Sequence, residues 1–392
     1  MRLAIEKKEL LHNIQHLAGI VSMKNISPVL TNYLIEVDAE TNMVQITASD
    51  LEITVNVRFA AAVSEGGTIA VSARHFNEII NFMPEAVIDL WKTEDLLMIQ
   101  CNKIDFNILC ADHTLYPILP VPSADNANPM EAEFFHRMIS KTTFAVSTDV
   151  NRAVLTGVCW KIARNHHLMA ATDGRKVAEI IIKNAPDLVD TVMETAPAAE
   201  DNIFADNIPD SVKERVIPVK TLNFIQKIFE TGINEIKILI ERNKIIFFYG
   251  KFTIISNILE HKYPEYQKAF ISDLPNRILV NKEALRTSIR RVALVAPEDN
   301  YRIRFEIDQE KFEINTSDRE TGDAKEFVET YEYQGISTSI SFNYKYMLGI
   351  LDAIDTEKVR ILLGSSREPM MVYNETEPEN QQITFLLMPL RS

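Results

Sequence analysis

Asp50 and Glu52, two residues apart, could serve as paired acids, and Asp173 could act as a carboxylate nucleophile. Asp50 and Asp173 each follow a run of β-forming residues, where an Asp side chain accepts hydrogen bonds from backbone N–H groups of the next turn, so both are expected to shape turns. His166-His167 precedes an expected strand and has no further ligand at useful spacing, which argues against a metal site. The chain contains no Gly-rich phosphate loop, nucleophile elbow or His-Glu-x-x-His string. We therefore expect no catalytic residue, no metal and no cofactor.

Charge is the other source of chemistry. The 392-residue chain has a net charge of −14, superficially unsuited to a polyanion. Six helix-like windows (6–24, 71–83, 131–147, 217–230, 282–296 and 341–351) nevertheless hold 13 Lys or Arg against 7 Asp or Glu. The windows carry +6, leaving −20 elsewhere by difference from −14. Lys7, Lys8, Arg137, Lys141, Arg286, Arg290 and Arg291 fall on faces opposite the apolar stripes. A charged face on one helix is ordinarily only solvated. Three helix pairs with the same bias in an acidic protein suggest one surface addressed to a polyanion.

The elements that carry these residues recur three times. Helix-like segments open each third at Glu9–Ala18, Phe134 onward and Glu283–Val292, and second helices are expected at Phe76–Met83, Leu222–Phe229 and Tyr346–Ile354. Apolar residues three and four apart, such as Leu10, Ile14 and Leu17 or Leu285, Ile289 and Val292, give each first helix a stripe that docks on a sheet. Behind each second helix an alternating strand pair is expected: 87–90 with 105–108, 236–239 with 252–255, and 359–362 with 383–386. Short turn signals favour antiparallel hairpins, so the class is α+β. Repetition at this long period means tandem domains. Breaks at Pro117–Asn126 and Ile271–Asn276 set the expected boundaries: 1–124, 128–270 and 274–392. An acidic excursion at about 184–210 enlarges the middle domain and reads as a long surface loop.

Three cysteines, Cys101, Cys110 and Cys159, follow no ligand spacing and fit a reducing cytoplasm. Charge enters too early at Arg2, Glu6, Lys7 and Lys8 for a secretory signal, and no apolar run approaches the roughly 20 residues of a membrane span, so no membrane association is expected.

Five short strings go beyond pattern: Thr47–Ile53 (TASDLEI), Ala171–Ala178 (ATDGRKVA), Tyr263–Tyr266 (YPEY), Phe342–Leu348 (FNYKYML) and Met388–Arg391 (MPLR). Together, in order on a triplicated frame, they resemble the bacterial sliding clamp family, the beta subunit of DNA polymerase III. The resemblance runs the length of the chain. It implies three tandem copies of the DNA-clamp fold, each with two helices on antiparallel sheets, forming half of a six-domain homodimeric ring around double-stranded DNA. Twelve helices spaced at roughly 8 to 10 Å trace a circle about 35 Å across. Removing about 5 Å of helix radius on each side leaves a hole of about 25 Å, wide enough for a duplex. Such a ring would touch phosphates loosely and read no sequence.

The resemblance also assigns sites. A peptide pocket for the polymerase III alpha subunit, the clamp loader and other clamp-binding-motif proteins matches Leu155, Thr172, Gly174, Arg175 and Val177. Its other side matches Pro264, Lys268, Pro369, Leu387, Met388, Pro389, Leu390 and Arg391. Met388 and the leucines supply an adaptable apolar lining, and Gly174 permits close backbone approach. DNA contacts would come from Lys24, Asn151 and Arg152 in loops, with Arg137, Lys141, Arg286, Arg290 and Arg291 on helices. A head-to-tail dimer would join His75, Ile79, Phe106 and Ile108 of one chain to Leu294 and Val295 of the other. Departures from the family pattern bear on peptide preference: Lys268 stands where arginine is frequent, Leu390 where Met or Val is common, and Ser392 ends the chain.

Two other readings compete. A DNA-modifying enzyme needs an acidic metal cluster or a nucleophile with its base, and a protein-binding scaffold needs no basic helix faces. The first lacks its residues and the second leaves the charge asymmetry unused.

Overall fold

A computed structural model describes residues 1–21, 27–117, 120–163, 166–183 and 213–390. The acidic excursion at 184–210, Lys24 and Arg391 lie outside them. The chain forms two compact units, Met1–His136 with Lys220–Ile258, and Arg137–Val219 with Leu259–Ser392.

Among the described residues one motif occurs six times: a strand, a helix starting at the next residue, then three strands. Helix α1 (Lys7–Ile14) follows Arg2–Glu6, and α2 (Ala73–Phe82) follows Gly67–Ser72. Helix α3 (Ala132–Thr142) follows Asn128–Glu131, and α4 (Val219–Ile228) follows Lys213–Pro218. Helix α5 (Lys282–Val292) follows Asn276–Asn281, and α6 (Tyr344–Ala353) follows Thr338–Asn343. The threefold repeat legible in the sequence is thus a sixfold repeat of a smaller motif, taken in pairs.

Consecutive motifs interlock by exchanging their leading strands. The strand before α1 pairs with the first strand after α2 (Ile5 opposite Ile88), and the strand before α2 pairs with the first strand after α1 (Tyr33 opposite Val71). The same exchange sets Met130 opposite Ile236, Cys159 opposite Val216, Ile278 opposite Ile361 and Ile303 opposite Phe342. The first N–H groups of three helices, which have no partner inside a helix, are satisfied by the exchange. Lys7 donates to Ala86 O at 3.0 Å, Ala132 to Asn234 O at 2.9 Å and Lys282 to Glu357 O at 2.9 Å. Side-chain caps serve α2, α5 and α6: Ser72, Asn281 and Asn343 accept from the N–H groups of His75, Ala284 and Lys345.

Each expected strand pair is the outer two strands of a three-stranded meander. Leu96–Cys101, Lys244–Tyr249 and Met370–Asn374 lie between the expected partners. These middle strands carry apolar residues on both faces, so their period of two is hidden.

The first unit holds one 13-stranded sheet, the second a nine-stranded and a four-stranded sheet. Within the first unit, Phe252–Asn257 pairs with Ile53–Ala60, setting Ile254 opposite Val55. Within the second, Gln381–Leu387 pairs with Lys176–Lys183, setting Phe385 opposite Ala178. The core is aromatic as well as aliphatic; Phe305 meets Phe312 and Phe342 edge to face at 4.9 and 4.6 Å. Among the described residues no helix is long and apolar enough to cross a membrane.

Candidate functional site

Asp50 and Asp173 occupy the turns expected of them. Asp50 Oδ1 accepts from the N–H groups of Glu52 and Ile53 at 3.0 and 2.9 Å, and its other oxygen meets Lys220 Nζ. Asp173 Oδ1 accepts from Arg175 and Lys176 N–H at 2.8 and 2.9 Å, and Oδ2 binds the Lys176 ammonium at 2.6 Å. His166 and His167 lie within a strand rather than before one, and the buried His167 accepts from Trp160 Nε1 at 3.2 Å. Among the described residues no cluster of His, Cys, Asp or Glu has the geometry of a metal site.

The residues expected to line a peptide pocket belong to the second unit. Leu155 and Val177 join a buried cluster with Tyr263, Tyr266, Leu386 and Met371. Thr172 N–H donates to Tyr263 Oη at 3.0 Å, and Gly174 N–H to Thr172 Oγ1 at 3.0 Å. Gly174 has φ +87°, a conformation that costs glycine little and other residues more. Past the final strand, Met388 N–H donates to Arg175 O at 2.8 Å and Leu390 N–H to Ser341 O at 2.8 Å, which fixes the tail beside the Gly174 turn. Met388 is 38% exposed, whereas Leu387 and Val177 are buried and form floor rather than rim. Pro369 is buried, Pro389 and Leu390 are partly covered, and Pro264 and Lys268 are exposed, Lys268 paired with Glu265.

One residue missed in the sequence analysis belongs with them. Tyr346 lies within reach of the charges of Asp173 and Arg175, and the Lys176 ammonium lies 4.2 Å from its ring centroid. Its phenol is raised, mainly by burial. Tyr346 stands inside the string Phe342–Leu348, the one signal that could have found it.

The basic residues divide into free and engaged groups. Lys141 is 7% exposed; its ammonium donates to Ala353 O at 2.6 Å and to Asp355. This corrects the expectation of a surface cation: Lys141 holds α3 to the end of α6. Lys7, ion-paired to Glu85 at 2.7 Å, is buried likewise. Arg137 shares Asp355 at 2.7 Å and stays one-third exposed. Arg286 bridges Glu283 and Asp352, and Arg291 pairs with Glu326, which its hydrogen bonds hold below the ordinary Glu range. Arg290 and Lys8 are exposed, with no ion pair among the described residues. Asn151 is exposed beside Asp149, while Arg152 reaches Asp149, Ser147 and the carbonyl of Asp173.

Of the expected contact residues, Phe106 (44%) and Leu294 (83%) are prominently exposed, His75 is exposed, and Ile79 and Val295 are partly covered. Ile108, two positions from Phe106 and so on the same face, is 7% exposed, while its neighbour Leu109 (71%) takes the opposite face and points out. The strand Ile104–Ala111 has a second neighbour only at its last two residues, and Gly322–Phe327 has a single neighbour.

Family models described as the N-terminal, central and C-terminal domains of the DNA polymerase III beta subunit match residues 1–120, 129–198 with 202–265, and 268–391. The beta sliding clamps of Staphylococcus epidermidis and Staphylococcus aureus are 28% and 27% identical over 402 aligned residues, covering 100% of each chain. The crystal structure of a DNA polymerase sliding clamp from Bacillus subtilis is similar with a TM-score of 0.86 at 26% identity, covering 100% of this chain and 99% of that one. A clamp from Pseudomonas aeruginosa (TM-score 0.85, 24% identity, 100% of both chains) is alike in fold.

Proposed function

The chain belongs to the DNA polymerase III beta-subunit family, the bacterial sliding clamps, and from that premise we propose that two copies close head to tail into a ring that encircles duplex DNA. The ring is a non-catalytic tether in the cytoplasm. It comprises three clamp domains per chain, 1–124, 128–270 and 274–392, and holds polymerases and the clamp loader through the pocket around Leu155 and Met388.

One observation carries this reading. Two internal junctions join the last strand of an even motif to the last strand of an odd one, with Ile254 opposite Val55 and Phe385 opposite Ala178. The hairpin registers make Phe106 the equivalent of Ile254 and Phe385, and Ala324 the equivalent of Val55 and Ala178. Of the six strands that end a motif, those two are without such a partner among the described residues, and an open edge is a template for another chain. Repeating the junction between copies would set Phe106 opposite the partner's Ala324 and Asp105 opposite Lys325. Leu294 is equivalent to Phe144, which packs on Phe385 at 5.9 Å, so the exposed Leu294 would gain the same cover from Phe106.

Cations on the helices, foremost the exposed Arg290 and Lys8 with the ion-paired Arg137, Arg286 and Arg291, would face phosphates without reading bases. Asn151 and Arg152 would add loop contacts, and the buried Lys141 would add none.

Sedimentation tests the junction. The wild-type chain is expected to sediment at twice its monomer mass, and Asp105→Lys to raise the dissociation constant at least about tenfold by facing Lys325 with a like charge. Lys325→Asp in the same chain should restore the dimer. A monomeric wild type, or a double variant no better than Asp105→Lys, contradicts the reading.

A further inference from the structure

The pocket adjoins a second, differently built surface. A groove of about 920 Å³ runs beside the tail, with Met388, Pro389 and Leu390 along one wall. Its floor is the outer face of the four-stranded sheet, where Arg302, Arg304, Ser339 and Ser341 project opposite the buried Ile303, Phe305, Ile340 and Phe342. Ser366 and Arg367 also line the groove. Among the described residues no carboxylate lines the groove, in a chain with 55 Asp and Glu. Arg304 Nε donates to Ser339 Oγ at 2.6 Å and also meets Glu306 at 3.2 Å, outside the groove, while Arg367 is exposed with no ion pair among the described residues.

We propose that this groove is an acidic-peptide subsite continuous with the apolar pocket: a partner segment seated on Leu155 and Met388 continues over the tail and lays Asp or Glu side chains against Arg304 and Arg367. The inference rests on the peptide-pocket reading above. Three features carry it. The tail is fixed on one side to Arg175 O and on the other to Ser341 O, so one short ridge borders both surfaces. The groove presents guanidinium and hydroxyl donors, which suit carboxylates. Its volume falls within the range that encloses a ligand-sized segment. The apolar pocket would supply affinity common to all partners, and the groove would rank them by the charge of their flanks.

The test uses the full-length protein and fluorescent peptides carrying the clamp-binding segment of the cognate polymerase alpha subunit, extended at either end by four Glu or four Gln. The expected result is binding about tenfold tighter for one Glu-extended peptide than for its Gln counterpart, as charge-assisted pairs form. That gain should shrink at roughly 1 M salt, where the Debye length is about 3 Å. In Arg304→Gln with Arg367→Gln the gain should vanish while the Gln-extended peptides bind unchanged, which also reports an intact fold. Equal binding of Glu and Gln peptides to the wild type, or a gain that survives the double variant, overturns the groove proposal alone. Failure of the Gln-extended peptides to bind wild type removes the pocket reading, and this proposal with it.

Discussion

Arg152 Nη1 donates a hydrogen bond to the carbonyl oxygen of Asp173 at 2.9 Å, so a guanidinium expected to face DNA braces the Gly174 turn, which we propose walls the peptide pocket. Its Nε and Nη2 reach Asp149 and Ser147 at 3.1 and 3.3 Å. Arg152→Ala should cost about 1 kcal/mol, the value of charged hydrogen bonds discounted for a half-exposed side chain. Peptide affinity should fall about fivefold as the Gly174 turn loosens. Arg152→Lys should not rescue it, because an ammonium lacks the planar fork that spans three acceptors. Urea unfolding and peptide calorimetry check both, and unchanged peptide affinity in Arg152→Ala would show that the brace is irrelevant to the pocket.

Lys141 and Asp355 form a partly buried pair that joins α3 to α6. Asp355→Ala would leave a buried ammonium with the Ala353 carbonyl as its remaining partner, costing about 2 kcal/mol, since water reaches the exposed side of the site. Lys141→Met in that background should recover most of the loss. If the double variant is less stable than Asp355→Ala, the buried charge is not the cause.

The two cases mark what the sequence could and could not tell. Helix faces were legible because apolar spacing is local: Leu10, Ile14 and Leu17 are all buried as their spacing requires. The turns at Asp50 and Asp173 were legible for the same reason, since their acceptors act within three residues. Lys141 read as a surface cation because its partner lies 214 positions away. Tyr346 was missed on the same ground; it meets the Lys176 ammonium only once distant strands are paired. The middle strands at Leu96–Cys101 and Lys244–Tyr249 escaped because apolar residues on both faces leave no alternation to detect.

Acid sensitivity should trace to two histidines. Burial depresses His16, aided by His12, Lys251 and Lys227 and opposed by Glu230, and burial depresses His136 against the opposing charge of Glu133. His136 also stacks on Phe229 at 4.0 Å. Between their depressed values and 6.5 the folded chain binds fewer protons than the unfolded one, so their contribution is complete above 6.5 and is lost as pH falls through that window. His16→Gln with His136→Gln should therefore lose less stability than wild type between about pH 7.5 and about pH 5 in urea titrations. An identical pH slope in both proteins would rule the histidines out.

Arg290 separates free from engaged cations. Arg290→Ala should lower DNA affinity uniformly across sequences and reduce the salt slope by about 1, with the melting temperature unchanged because the side chain pairs with nothing described. Lys141→Met should leave the slope as it is. Equal slopes for wild type and Arg290→Ala, measured by filter binding over a salt series, would place the DNA path elsewhere.

Encirclement is tested most directly on a nicked circular plasmid. Loaded protein should stay on the circle through high-salt gel filtration, where phosphate contacts are screened, and should leave within minutes when one restriction cut makes the DNA linear. Equal loss from circle and linear DNA, or equal retention on both, would contradict a closed ring held by topology.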